Sequence, residues 1–173
     1  MTDRAVLAAP ARLFDSGPLR FFPAALREPR RPALAIALGW ALTFFPSLLL
    51  SWLSQALFPA LAKPEFAVGG ATALFLLVIF SPAIETLIMG AILSLLLRVL
   101  PPTAAVIVSA VGWGIAHSIA APVWGLTIWW PFLIFSTLFV VWKQRGWLPA
   151  ATLVASVHAL HNLLPALALV AHR

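Results

Sequence analysis

The sequence predicts an all-α polytopic membrane bundle of about five transmembrane helices, one of them long and Pro-kinked. Three observations predict it. Of the 173 residues, 62% are hydrophobic and only 9% are charged, with a mean hydropathy of +1.02, which is far from a soluble domain. Several uncharged runs reach the ~20 residues that cross a bilayer as helix. The alternation of a membrane barrel is missing, and lipid offers backbone groups no partner, so the runs must be helices packed on one another.

Residues 1–32 mix Pro, Arg and short apolar clusters and are expected to form a basic cytosolic or interfacial tail on the membrane surface. They lack the apolar core of a cleavable signal peptide, so insertion is expected to rely on the first span. Arg27, Arg30 and Arg31 abut that span and would hold its N-terminus inside. The transmembrane helical domain is expected over residues 33–173. Ala33 to Phe58 is the first span, interrupted by Pro46. Residues 61–65 (LAKPE) turn. Phe66 to Arg98 stays apolar with Pro82 near its middle, and Pro101-Pro102 turns again. Thr103 to Ala121 is rich in small residues that let helices approach closely. Val123 to Trp142 follows, then the charged loop Lys143-Gln144-Arg145-Gly146. Pro149 opens the last span, to about Val170. Trp142 and Trp147 bracket the loop as interfacial anchors would, and Arg98 reads as a snorkelling anchor.

Pro82 leaves a choice between one long span and two short ones, which basic residues near span ends decide. Five spans put Arg20, Arg27, Arg30, Arg31, Arg98, Lys143 and Arg145 inside and only Lys63 and Arg173 outside. Six spans move Arg98, Lys143 and Arg145 outside and only Arg173 in. Five spans win.

Glu85 is the one carboxylate inside an apolar run, where a charge costs roughly 2.5–3.5 kcal/mol on insertion scales. His117, His158, His161 and Asn162 are the other polar groups of chemical interest in the spans. Glu85 and His117 each lie about fourteen residues, or roughly 21 Å, from the cytoplasmic end of their helices. His158 and Asn162 fall at roughly 14–20 Å by the same rise. Glu85, His117, His158 and Asn162 can therefore share one layer.

Such a layer suits hydrolysis. A carboxylate beside neutral imidazole can act as general base toward water. His158 and Asn162, four apart on one helix face, can donate to the oxyanion formed when water attacks an amide. Elimination leaves Glu/His water activation or Glu and His residues around a metal, with Ser156 near His158 as a remaining nucleophile candidate. There is no Cys, no HExxH and no GxSxG, and Asp3 and Asp15 precede every span. The net charge of +6 is not a nucleic-acid signal, because six of the eleven basic residues precede the first span, where they face lipid head groups.

SPAIETLIMG (81–90), WGIAH (113–117) and HALHN (158–162), in that order, resemble the three motifs of the CAAX-protease and bacteriocin-processing family of intramembrane endopeptidases. The resemblance covers about residues 78–165. The family's first motif is a Glu pair followed by three residues and Arg. Here Glu85 matches the first Glu, while Thr86 and Gly90 stand at the second Glu and the Arg. The second motif, Phe with His four later, reads Trp113 and His117, and the third is intact as His158 and Asn162. The resemblance implies that Glu85 and His117 activate water while His158 and Asn162 stabilise the oxyanion. It implies a membrane-embedded or lipidated peptide substrate. It leaves the cofactor open: the glutamate mechanism needs none, while the family is also labelled metallopeptidase and a divalent ion such as zinc would fit that label.

Competing uses stand beside these. Each of the four groups could serve as a hydrogen bond between helices. The substitutions at Thr86 and Gly90 suit a catalytically inactive relative acting as a membrane immunity or assembly protein. A small transporter is disfavoured by the lack of a broken-helix repeat. His161 is expected to be structural, His172 solvated, and Trp129 and Trp130 to face lipid or pack. Nine Arg to two Lys with abundant Ala points to a GC-rich bacterial genome and so to a bacterial inner membrane, with the N-terminus cytoplasmic.

Overall fold

The computed structural model describes residues 11–62, 64–65 and 67–171. Asp3, Lys63, Phe66, His172 and Arg173, which figure in the expectations above, lie outside these. A 3-10 turn (Pro18–Phe21) and one turn of helix, α1 (Ala24–Arg27), precede α2 (Pro32–Leu57). Next come α3 (Gly70–Leu74), a π-helical stretch (Phe75–Phe80) and α4 (Ser81–Leu96), which run on as one helix over Gly70–Leu96. α5 (Pro102–Ala120), α6 (Pro122–Trp142) and α7 (Trp147–Ala171) complete the chain, with a 3-10 turn at Lys143–Arg145. Five helices are long and apolar enough to cross a membrane, as the sequence predicts. Proline opens α2, α5 and α6, where its missing N–H has no intrahelical partner to lose.

The unbroken helix over Gly70–Leu96 settles the choice at Pro82. The helix passes the proline by widening: the Ser81 N–H reaches back five residues to the Leu76 carbonyl.

α6 is the hub. Two thirds of its apolar window is buried, against about a third or less for every other span. Phe132, Phe135, Leu138, Phe139 and Val141 fill the centre, meeting Met89 and Leu93 of α4, Val106 and Ala110 of α5, and Val154 and Val157 of α7. α5 and α6 form the closest pair. At Gly125 an added Cβ would overlap Ser118 Oγ and the Gly114 carbonyl, so only glycine allows this approach. At about 1.5 Å per residue this hairpin is roughly 28–32 Å long, whereas the other three spans measure roughly 38–40 Å.

The N-terminal segment departs from expectation. Its described part is not a tail lying loosely on the surface: Phe14, Leu19, Phe22 and Leu26 are buried and belong to the core. Arg27 holds it there. Its guanidinium donates to the Phe22 carbonyl (2.8 Å), the Phe14 carbonyl (3.3 Å) and Asp15 Oδ1 (2.6 Å). Arg27 is thus turned inward rather than toward head groups, a choice made by backbone carbonyls that spacing does not reveal. Arg145 Nε donates to the Pro29 carbonyl (3.0 Å), so the segment and the 143–145 turn occupy one end of the bundle. Trp142 is also buried rather than interfacial, while Trp147 and Arg98 are exposed.

Candidate functional site

Glu85 sits one turn beyond Ser81 on α4, and the Ser81 hydroxyl donates to Glu85 Oε1. Spacing of four makes these two neighbours on a helix face, a signal available in the sequence but not used there. The other oxygen, Oε2, faces two imidazoles. His117 Nε2 of α5 lies 4.0 Å away and His158 Nε2 of α7 lies 3.9 Å away. Three separate helices thus bring Glu85, His117 and His158 to one level, as their depths predict.

Hydrogen-bond chemistry assigns the two rings different tasks. His117 Nδ1 is 2.8 Å from the Trp113 carbonyl. A carbonyl only accepts, so Nδ1 carries the proton and the Nε2 of the neutral ring presents a lone pair toward Glu85. His158 is packed between Phe132 and Phe135, with ring centroids 5.6 and 4.6 Å away, and its Nδ1 has no partner. The carboxylate near Nε2 favours the proton on that nitrogen, making His158 a donor into the site. His117 and Glu85 are then two acceptors 4.0 Å apart, too far for a direct hydrogen bond. A water about 2.8 Å from each could donate one hydrogen to each. Trp124 meets the His117 ring edge-on at 4.8 Å, and Trp113 and Phe132, stacked on each other at 4.3 Å, lie 5.8 and 5.7 Å from it.

Asn162 departs from this cluster. Its Nδ2 donates to the Leu77 carbonyl at 2.9 Å, in the π-helical stretch. No hydrogen bond or ion pair joins it to Glu85, His117 or His158 among the described residues. The His-x-x-x-Asn spacing places both residues on one face of α7, but the broken backbone opposite captures the amide. His161 is buried beside Phe44 and Phe135, with an unpartnered Nδ1. Thr86 is buried with no partner for its hydroxyl. Gly90 abuts Phe139, where an added Cβ would lie 2.6 Å from two ring carbons, so a side chain at this place requires the Phe139 ring to shift.

Zinc bonded at about 2.0–2.2 Å would draw its ligand atoms to roughly 3.3–3.5 Å of one another. The separations around Glu85 are wider, and among the described residues no group of three or more His, Asp or Glu is arranged to hold a metal. The residues do not fit a metal centre as they stand.

Fold and site together define an all-α membrane-spanning bundle with one intramembrane carboxylate between two imidazoles. No protein-family model, no curated protein and no solved structure matches the chain.

Proposed function

We propose that this protein is an intramembrane endopeptidase of the CAAX-protease and bacteriocin-processing type, cutting a membrane-associated peptide with water activated by Glu85 and His117. The observation that carries the proposal is the pair of acceptors, Glu85 Oε2 and His117 Nε2, held 4.0 Å apart with His158 Nε2 3.9 Å from the same oxygen. A water between the acceptors loses a proton to one of them as its oxygen bonds to the scissile carbonyl carbon. The oxyanion takes a hydrogen bond from His158 Nε2–H. The captured proton then passes to the amide nitrogen as the C–N bond breaks, leaving an acid and an amine. Asn162 enters as a positioning residue: it anchors the helix that carries Glu85. The protein would sit in a bacterial inner membrane with its N-terminus cytoplasmic, a placement supported by the basic residues at the Lys143 end.

Glu85→Gln and His117→Ala are expected to abolish cleavage of a reporter peptide in proteoliposomes while expression and insertion persist. Undiminished cleavage in both variants sinks the proposal. The filled space at Gly90 favours a second reading, an inactive relative that binds a membrane partner. In that case Glu85→Gln retains the cellular phenotype and no peptide is turned over.

A further inference from the structure

Ser and Thr hydroxyls in the spans of this protein often close on their own helix. Those of Ser94, Ser118, Thr127, Thr137, Thr152 and Ser156 each donate to the carbonyl four residues earlier. Ser81 does the opposite: its hydroxyl runs one turn forward, to Glu85 Oε1. Two circumstances account for the reversal. The carbonyl four residues before Ser81 is that of Leu77, and Asn162 Nδ2 of α7 already donates to it at 2.9 Å. A hydroxyl also bonds more strongly to a carboxylate than to a neutral carbonyl. The Ser81 backbone is itself anchored, its N–H reaching the Leu76 carbonyl across the π-helical stretch.

We infer that Ser81 is the positioning residue of the Glu85 carboxylate, and that Asn162 holds it to that task by occupying the Leu77 carbonyl. The consequence for turnover rests on the peptidase proposal; the consequence for the carboxylate does not. Glutamate has a long side chain with much rotamer freedom to lose, and that of Glu85 is 23% exposed, so packing alone does not fix it. With Oε1 tied to Ser81, Oε2 is left facing His117 Nε2 at 4.0 Å and His158 Nε2 at 3.9 Å. Released from Ser81, the carboxylate spreads over rotamers in which neither oxygen faces both rings. Asn162 thus acts on Glu85 from another helix without touching it. When its amide is gone, the Leu77 carbonyl competes for the Ser81 hydroxyl, as carbonyls do elsewhere in the spans.

The test reads the carboxylate directly, in the full chain in nanodiscs. The infrared carboxyl band that disappears in Glu85→Gln belongs to Glu85. That band should shift in Ser81→Ala, which removes the donor, and stay in place in Ser81→Thr, which keeps a hydroxyl. In Asn162→Ala it should move in the same direction by a smaller amount. In cleavage of a reporter peptide, Ser81→Ala should lower kcat about ten- to hundredfold, the worth of a hydrogen bond to a charged group, with KM little changed. Ser81→Thr should recover most of that loss. Asn162→Ala should lower kcat on its own and add little in a Ser81→Ala background. A Glu85 band that stays in place in Ser81→Ala overturns the inference. So do losses in kcat that multiply in full when the Ser81 and Asn162 substitutions are combined. Bands that move as expected in a protein whose Glu85→Gln variant still cleaves leave the role of Ser81 standing and remove the peptidase proposal.

Discussion

The Asn162 carboxamide donates to the Leu77 carbonyl at 2.9 Å, and that carbonyl is the one Pro82 leaves without a partner. In the π register begun by Ser81 and Leu76, the next bond would run from residue 82 to Leu77, and proline has no N–H to make it. The same arrangement recurs in the first span. Pro46 cannot bond the carbonyl four residues back, that of Leu42, and Trp130 Nε1 of α6 donates to it at 2.7 Å. The breaks at Pro46 and Pro82 are both closed by a side chain from a packed neighbour, which ties together helices that lipid alone would not hold in register.

Asn162→Ala should therefore destabilise the fold by about 0.6–2 kcal/mol, the range of hydrogen bonds between helices in bilayers. In a Pro82→Ala background the loss should shrink, because an N–H is restored to the α3–α4 backbone. Unfolding in mixed micelles of increasing SDS content measures the cycle. Strict additivity of the two substitutions would contradict this account of Asn162.

Five spans, their order and the shared depth of Glu85, His117 and His158 were legible in the sequence. Each depends on hydropathy, proline position and rise per residue, which are local quantities. The destination of Asn162 was not legible, because it depends on an acceptor eighty-five residues away in a helix whose π geometry has no composition signal. The partners of Arg27 were not legible for a related reason. A basic residue beside a span is ordinarily a lipid anchor, and only the folded segment shows that Phe14 and Phe22 offer it carbonyls.

Arg27→Ala should cost about 1.5–3 kcal/mol, as expected for losing hydrogen bonds from a charged donor. Most of that belongs to the two carbonyls. Asp15 is 62% exposed, so its ion pair is screened and contributes little. Arg20→Ala, at an exposed site, should stay within about 0.5 kcal/mol of wild type. Limited proteolysis of residues 11–31 reports the difference: faster cutting in the Arg27 variant alone is the expected result, and equal rates would refute the clamp.

Gly90→Ala should destabilise by about 1–3 kcal/mol, since the new methyl meets the fully buried Phe139 ring. Phe139→Leu should recover part of that loss when the two are combined. Gly90→Arg, with a far larger side chain against the same ring, should prevent folding. A well-folded Gly90→Arg protein by size-exclusion chromatography would show that α4 and α6 can part.

Gly125 and Gly112 provide a matched pair. Gly125→Ala drives a methyl into Ser118 and the Gly114 backbone, whereas nothing lies within 4 Å of a methyl at Gly112. The first should lower Tm markedly by spreading the α5–α6 hairpin, and the second should leave it nearly unchanged. Similar Tm values for the two variants would argue against close packing as the reason for Gly125.

The central position of α6 has a consequence for biogenesis. α2 packs on α6 and α7 and makes no extensive contact with α4 or α5. The helix that unites the others is fourth to leave the ribosome, so the first three enter the bilayer as loosely associated rods. Compaction must wait until α6 arrives, and a nascent chain stalled before Pro122 would offer quality-control proteases an open, unassembled target.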